Sequence, residues 1–202
     1  AMYTKAFDIS ELQFGLQYQH NFAYNDYVVY DETTSMSKDN IYAYAQYVTM
    51  LGDKASLVLG TGAKVFVVND GLNTLSYVKN LSTLRLNYKI NKKMSLSAVA
   101  SLSPSLPSLG SLSTVMQRTD DVSANVGNAD LKPYNTLSGR LQFNYNAPKI
   151  FYATATAGYG HSFNPIVYTY YYNPELNLFV NTPHNSDYYN TMYLYTKNKK
   201  KK

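Results

Sequence analysis

Residues that commonly carry out catalysis or bind metals are few in this sequence of 202 residues, and they lie far apart. The histidines His20, His161 and His184 lack the spacing of a zinc site. The Gly-x-Gly segments at 60–62 and 158–160 lack the following Lys-Ser or Lys-Thr pair, or the helix, that phosphate binding requires. Cysteine is absent, which excludes thiolate metal sites and disulfides. We therefore expect no enzyme and no cofactor.

Two groups of like-charged residues are candidates for a site: the pair Asp120 and Asp121, and the lysines of the C-terminal tail. Two carboxylates alone lack the other oxygen ligands that a calcium loop supplies, so a solvated turn is the simpler interpretation. Five lysines, Lys197 and Lys199 to Lys202, account for the whole net charge of +5. Without aromatic residues between them, these lysines do not indicate a nucleic-acid site. We expect no metal and no nucleic-acid partner.

Eight segments of the sequence alternate apolar and polar residues with a period of two, which predicts β-strands with one apolar face. In the clearest of them, from Met94 to Leu102, every second residue is apolar and most of the others are serine. The segments lie at about residues 9–20, 40–51, 55–68, 81–90, 94–102, 135–146, 151–163 and 187–197. For the seventh, an extension to Tyr172 stays open. The predicted fold class is all-β, an antiparallel meander of about eight strands.

The connections between these strands alternate long and short along the chain. The tight turns at 52–54, 91–93 and 146–149 all fall at one end of the predicted sheet, and the long loops fall at the other. Outer-membrane barrels have this arrangement, whereas a soluble sandwich has no reason for it. Strands of about ten residues also suit a tilted crossing of a bilayer. We therefore predict a segment of a transmembrane β-barrel.

The two faces of the predicted strands differ in chemistry. Opposite the apolar residues lies a polar set, Gln13, Gln17, Gln19, Lys64, Arg85, Lys89, Arg140 and Gln142. Many tyrosines lie near strand ends, where an apolar ring with a polar tip suits the depth of lipid headgroups. A soluble β-domain also has a polar face, and tyrosine is a good strand former. Both classes stay open on these observations, which favour the barrel.

Residues 127–133, Gly-Asn-Ala-Asp-Leu-Lys-Pro, resemble the Gly-Asn-Pro-x-Leu-Lys-Pro signature of TonB-dependent outer-membrane receptors, with Ala129 in place of the usual proline. The setting is similar too, since a serine-rich strand, a proline-bearing segment and a long loop precede it. Residues 40–47 also resemble a strand of the Bacteroidetes-type outer membrane protein beta-barrel family. The sequence departs from the family at 103–107, which lacks the usual Arg-Pro pair. No plug or TonB box is recognisable.

The resemblance implies that residues 1–197 are an internal or C-terminal segment of a 22-stranded barrel in the bacterial outer membrane, followed by a disordered lysine tail at 198–202. It implies uptake of an iron chelate, a vitamin or a glycan, which the loops and inner wall bind. The expected partners are outer-membrane lipid, the remainder of the barrel with its plug, the TonB complex acting through that plug, and a small nutrient ligand. The chain alone is expected to transport nothing.

Aromatic and acidic residues of the long loops are the candidates for ligand contact, because tyrosine stacks on sugars and forms hydrogen bonds. The candidates are Tyr27, Tyr30, Asp31, Glu32, Asp120, Asp121, Tyr168, Tyr170, Tyr171 and Tyr172. The alternative is that they only pack the loops together. The signature residues Gly127, Asn128, Asp130, Leu131, Lys132 and Pro133 are expected to be structural. Gly127 would provide a permissive turn and Pro133 a rigid entry to the next strand.

Two other interpretations remain open at this point. A complete eight-stranded outer-membrane barrel, of the adhesin or structural type, would require the first and last strands to pair and close the sheet. A soluble, tyrosine-rich carbohydrate-binding sandwich would require two packed sheets, with long and short loops mixed at both ends.

Overall fold

The chain is almost entirely β-structure in the computed structural model, which describes residues 2–27, 32–69, 74–147 and 150–200. The first six strands are β1 (Met2–Ala6), β2 (Ser10–Tyr27), β3 (Glu32–Leu51), β4 (Ala55–Asn69), β5 (Thr74–Lys89) and β6 (Met94–Ser105). After helix α1 (Leu109–Leu112) come β7 (Gln117–Arg118), β8 (Ser123–Asn125), β9 (Tyr134–Ala147), β10 (Phe151–Phe163), β11 (Ile166–Asn173), β12 (Leu178–Asn185) and β13 (Tyr188–Lys200). In the described part of the chain, no helix has the length and apolar character needed to cross a membrane.

Nine strands form one continuous antiparallel sheet in the order β1-β2-β3-β4-β5-β6-β9-β10-β13. Each strand pairs with the next one that the chain supplies to this sheet, so the predicted antiparallel meander is confirmed. The eight predicted strands correspond to β2 through β6, β9, β10 and β13. The number of strands is larger than predicted, because β1 and the short strands β7, β8, β11 and β12 show too little alternation to be recognised from sequence. We call the nine-stranded sheet the wall.

The strands of the wall extend further than their alternating segments indicate. β2 and β3 are 18 and 20 residues long, because polar residues at the long-loop end continue the pairing without an apolar pattern. β5 begins at Thr74, well before the predicted start at residue 81. At the opposite end of the wall, β13 continues to Lys200, which pairs with Phe151. Residues 198–200, expected in a disordered tail, are therefore part of a strand, whereas 201 and 202 lie outside the described residues.

The register separates two faces across the whole wall, because directly paired residues in a sheet point to the same side. One row on the polar face runs Gln13, Gln46, Gly60, Thr83, Ser101, Ser138, Gly160, Thr191. The adjacent row on the apolar face runs Leu12, Tyr47, Leu59, Leu84, Ala100, Gly139, Tyr159, Met192. We call the apolar side the outer face and the polar side the inner face.

Tyrosines occupy both faces of the wall. They are not confined to the strand ends of the apolar face, where the depth of lipid headgroups was expected. Tyr18 and Tyr88 lie on the outer face near opposite ends of the wall. Tyr42 and Tyr44 lie on the inner face, where their rings stack with centroids 5.1 Å apart. The ring of Tyr44 occupies the space that a Cβ atom on Gly15 would need. Glycine at this position thus makes room for the aromatic ring of the neighbouring strand.

The wall is an open sheet in the described residues, with β1 at one edge and β13 at the other. These two strands do not pair, so the described part of the chain lacks the closure that a complete eight-stranded barrel requires. The second sheet is built only from long connections, and the tight turns at 52–54 and 91–93 lie together at the opposite end. This arrangement also differs from a sandwich with its loops mixed.

Candidate ligand-binding site

The two longest connections of the wall come together to form a second sheet. The connection from β6 to β9 contains β7 and β8, and the connection from β10 to β13 contains β11 and β12. These strands form a four-stranded sheet in the order β11-β12-β8-β7. β12 and β8 pair in parallel, at residues 179–181 and 123–125. The two connections therefore form one unit, which we call the loop sheet.

The long connections fold against the inner face of the wall. Leu112 of α1 and Leu131 form a buried cluster with Met36 of β3 and Val68 of β4. Val68 lies on the same side of β4 as Gly60, and Met36 on the same side of β3 as Gln46, so both belong to the inner face. This contact fixes the connections over the inner face at the long-loop end of the wall.

Gly127, the first residue of the signature segment, contacts the backbone that follows α1. Its N–H donates to the carbonyl oxygen of Ser113 at 2.8 Å. A Cβ atom at this position would collide with that oxygen and would lie 2.7 Å from the carbonyl oxygen of Ser111. Gly127 does not have a positive φ, which among the described glycines occurs at Gly52. Glycine is therefore required here by close approach of two backbones, and not by the permissive turn expected from sequence.

Side-chain amides join the signature segment to the connection between β10 and β13. Asn128 Nδ2 donates to the carbonyl oxygen of Pro183 at 3.1 Å. The amide of Asn185 accepts from Lys132 N at 2.9 Å and donates to Lys132 O at 3.0 Å. Asn185 Nδ2 also donates to the carbonyl oxygen of Asn164 at 2.8 Å. These bonds hold the two long connections together beside the wall.

The remaining signature residues divide between the interior and the surface. Leu131 is 1% exposed, in the buried cluster. Pro133 is buried and directly precedes β9, as a rigid strand entry would be. Asp130 and Lys132 are exposed. The backbone N–H of Asp130 donates to Asn128 Oδ1, and that of Lys132 donates to Asn185 Oδ1.

Tyrosines predicted to contact a ligand line one side of β11. Tyr168, Tyr170 and Tyr172 alternate along the strand on the same face, and all three are exposed. The hydroxyl of Tyr168 lies 3.1 Å from the hydroxyl of Ser111 in α1. Tyr171 is also exposed but lies on the opposite face of the strand. The structure therefore groups three of these four tyrosines.

A row of side-chain amides, which sequence analysis did not identify, lies on the same face as these three tyrosines. Strand pairing places Tyr170, Asn181, Asn125 and Gln117 side by side across the four strands. Asn181 Nδ2 donates to Asn125 Oδ1 at 3.1 Å. The other face of the loop sheet is buried at Ala124, Leu178 and Val180. Asn125 and Asn181 come from different connections, so no local pattern in the sequence relates them.

A cavity of about 300 Å³ lies between α1 and this face of the loop sheet. Gly110 and Ser111 line it from the helix, and Asn125, Tyr168 and Asn181 line it from the sheet. None of the lining side chains carries a charge.

Asp120 and Asp121 lie in the turn between β7 and β8, and neither lines this cavity. Asp120 Oδ2 accepts from the hydroxyl of Ser123 at 2.6 Å, and its Oδ1 accepts from Val122 N at 2.9 Å. These hydrogen bonds, that from Ser123 above all, hold the pKa of Asp120 below its usual range. The carboxylate of Asp120 thus stabilises its own turn.

Four candidates from the first long connection are not placed in the site. Tyr30 and Asp31 lie outside the described residues. Tyr27 and Glu32 are described only as the backbone ends of β2 and β3. Their contact with a ligand stays a prediction.

The histidines of the wall pair with polar side chains on the outer face. His20 Nδ1 lies 2.8 Å from Asp39 Oδ1, which also accepts from the hydroxyl of Tyr18 at 2.6 Å. His161 Nδ1 lies 2.7 Å from Asn190 Oδ1. Among the described residues, no group of three or more histidine or carboxylate side chains is placed to hold a metal ion.

Comparison with known proteins relates this chain to large transport barrels by structure alone. No protein-family model and no curated protein sequence matches it. The copper transporter OprC matches with a TM-score of 0.76 and 14% identity over 98% of this chain and 34% of its own. The FrpB iron transporter from Neisseria meningitidis (F3-3 variant) matches with a TM-score of 0.70 and 14% identity, over 100% of this chain and 32% of its own. The siderophore receptor PirA from Acinetobacter baumannii matches with a TM-score of 0.68 and 13% identity, over 98% of this chain and 33% of its own.

These similar structures are bacterial outer-membrane receptors of the TonB-dependent class. The chain spans about a third of their length. Its fold is that of a segment of their barrel wall together with the loops that the segment carries.

Proposed function

We propose that this chain forms wall and ligand-binding loops of a TonB-dependent receptor that takes up a nutrient through the bacterial outer membrane. Its own contribution is passive: the outer face contacts lipid, and the long connections provide binding groups. Uptake requires the plug, which the rest of the receptor would supply, and the TonB complex, which acts through that plug. The similar structures are a copper transporter, an iron transporter and a siderophore receptor, which supports the nutrient class in general.

The observation that carries this proposal is the position of the long connections relative to an apolar outer face. An outward apolar surface with an inward polar one is the pattern of a membrane barrel. The cluster of Met36, Val68, Leu112 and Leu131 folds the connections over the inner face, at one end of the wall. In a closed barrel, groups at that position stand at the mouth of the lumen, where a ligand enters.

The open edges support the proposal that further strands complete the barrel. Within hydrocarbon, each unpaired backbone N–H or C=O group costs several kcal/mol, so spanning sheets are closed. β13 is paired with β10 along one side over 13 residues, and its other side presents a long edge. We propose that neighbouring strands of the same receptor pair with β13 and β1.

Partitioning of the expressed chain tests the membrane position. We expect it to be insoluble in plain buffer and to be recovered with β-rich circular dichroism in detergent. Gel mobility should be the same with and without heating, because the open wall lacks the closed structure that resists the denaturant. A monodisperse monomer in plain buffer would contradict the proposal in favour of the soluble carbohydrate-binding protein. Heat-dependent mobility would favour the complete small barrel.

A further inference from the structure

We propose that the loop sheet binds a neutral, hydroxylated ligand of the glycan class. This inference rests on the proposed function, in which the ligand reaches the loops from outside the cell. The binding groups are on one face of the loop sheet. They are Tyr168, Tyr170 and Tyr172 along β11, with Asn181, Asn125 and Gln117 across the other three strands. We call this set the tyrosine–amide face. The cavity beside α1 forms its deepest part.

The three tyrosines offer a line of aromatic surface. Alternate residues of a strand are about 6.6–6.8 Å apart, so Tyr168 and Tyr172 are separated by about 13 Å along β11. The apolar C–H face of a sugar ring packs on an aromatic ring, whose face is electron-rich. The Tyr172 ring is held by a contact with Phe179, 5.3 Å between centroids, and its hydroxyl donates to Asn177 Oδ1 at 2.6 Å. A fixed ring at the end of the line suits an extended oligosaccharide.

The amide row supplies the hydrogen-bonding groups that hydroxyls need. A sugar hydroxyl both donates and accepts, and a carboxamide offers a carbonyl acceptor and an NH₂ donor. The bond from Asn181 Nδ2 to Asn125 Oδ1 fixes the direction of the row at 3.1 Å. It uses the acceptor of the exposed Asn125, which leaves the NH₂ group of this residue to donate to a ligand. Recognition of this kind needs no charge.

The chemistry of the cavity argues against two other ligand classes, an anionic iron chelate and a bare metal ion. An anionic iron chelate is bound best by arginine or lysine, and no lining side chain of the cavity is charged. A bare metal ion requires clustered histidine, cysteine or carboxylate ligands, which the described residues do not provide. A neutral ligand is the class that these groups can bind without an uncompensated charge.

The larger hollows of the wall have a different character. Those of about 510 and 670 Å³ are lined largely by apolar residues of the outer face, including Leu59, Leu84, Leu141 and Met192. In the proposed membrane position, lipid acyl chains cover these hollows. Of these three hollows, the one at the tyrosine–amide face is the one with convergent polar groups.

A single introduced tryptophan can report binding, because the sequence contains none. Tyr170→Trp places the fluorophore on the tyrosine–amide face and keeps an aromatic ring there. Tyr171→Trp places it on the opposite face of the same strand and is the matched control. The full chain in detergent is titrated with maltohexaose, cellohexaose and laminarihexaose, and separately with a polygalacturonate hexamer and a ferric tris-catecholate. We expect a saturable fluorescence change with a neutral hexasaccharide in Tyr170→Trp and none in Tyr171→Trp.

Two further substitutions in the Tyr170→Trp background locate the site. Gly110 lines the cavity and a Cβ there meets no atom within 4 Å, so Gly110→Leu adds a large side chain at the cavity wall without a clash, and we expect saturable binding to be lost. Asn125→Ala removes an exposed amide without disturbing a core, and we expect affinity to fall about tenfold. Gly139→Leu, at a position equally free of contacts but on the outer face, is the control and should leave affinity unchanged.

The proposal is overturned if none of the three neutral hexasaccharides changes the fluorescence of Tyr170→Trp up to 10 mM (about 10,000 times a typical micromolar Kd). Tighter binding of the ferric tris-catecholate or the polygalacturonate would also overturn it. If the titrations show no hexasaccharide binding but the chain still partitions as a membrane protein, only the proposed ligand class is contradicted. Hexasaccharide binding by a chain that is monomeric in plain buffer removes the proposed function and leaves this inference standing.

Discussion

The wall and the loop sheet are both antiparallel in large part, yet they are stabilised differently. On the outer face of the wall, large apolar side chains are exposed, with Met192 83% and Leu194 78% accessible. The loop sheet instead has a packed side, where Val180 is 0% and Ala124 1% exposed. The wall therefore depends on its hydrogen-bond ladder and on apolar surroundings, whereas the loop sheet depends on the packing of one buried side.

This difference means that the two regions should respond independently to substitution. A change in the part of the buried cluster that the long connections supply, Leu112 and Leu131, should open the loop sheet and leave the wall paired, because the ladders of the wall do not include these two residues. A change on the outer face should act only through contact with lipid or detergent. Hydrogen exchange resolved by segment can separate the two, since it reports local opening free energies.

The largest effect is expected from Gly127→Val, which would break the contact between the signature segment and the backbone that follows α1. A side chain here collides with the carbonyl oxygen of Ser113, so the backbone must move. We expect hydrogen-exchange protection of β8 and β12 to be lost while β4 and β5 stay protected. Gly110→Ala is the control, because its Cβ meets open space. Equal loss of protection in both regions would contradict the independence of the two sheets.

Leu131→Ala should have the next largest effect, because Leu131 is buried between α1 and the wall. Truncating a buried leucine costs about 2–5 kcal/mol, and we expect that loss in the opening free energy of the long connections. Leu194→Ala on the outer face is the matched control and should cost much less in detergent. A similar cost for both variants would show that the wall has a core comparable to that under the loops.

A smaller effect is expected from Asn185→Ala, which removes the hydrogen bonds to Lys132 and Asn164. Because Lys132 and Asn164 are exposed, water can replace these bonds in part, and each lost hydrogen bond costs about 0.5–1.5 kcal/mol. We expect faster exchange in residues 128–132 and 178–185, and weaker hexasaccharide binding, without a change in membrane partitioning. Asn190→Ala, on the outer face, controls for loss of an asparagine that does not join the connections.

The smallest effect is expected from acidification of the turn between β7 and β8. Because the pKa of Asp120 is lowered in the folded chain, its stabilising hydrogen bonds are fully present above the usual aspartate range, about pH 4. They are lost as the pH falls through the lowered pKa. We expect exchange protection of Val122 to decrease on acidification in the parent chain, whereas Asp120→Asn should lack this dependence and Asp121→Asn should retain it.

The same contrast explains what the sequence could and could not predict. Where a wall strand meets one environment on each face, as at Leu84, Leu86 and Tyr88, the sequence shows the period of two and predicts the facing. In residues 151–163 the alternation is weak, and the sequence does not predict the facing. The loop sheet is built from pieces of two to eight residues whose partners are distant in sequence. Asn125 and Asn181 carry no periodic signal, so only the tyrosines of their common face were identified.

The pairing of Asn125 with Asn181 spans 56 residues of chain, and β9 and β10 lie between them. Such a non-local contact becomes favourable only after the intervening segments have ordered, because closing a long loop costs entropy first. The hairpin of β9 and β10 therefore forms before the tyrosine–amide face exists. A chain in which β9 and β10 have not yet paired would lack the tyrosine–amide face, so we expect ligand binding there to report that this part of the wall has formed.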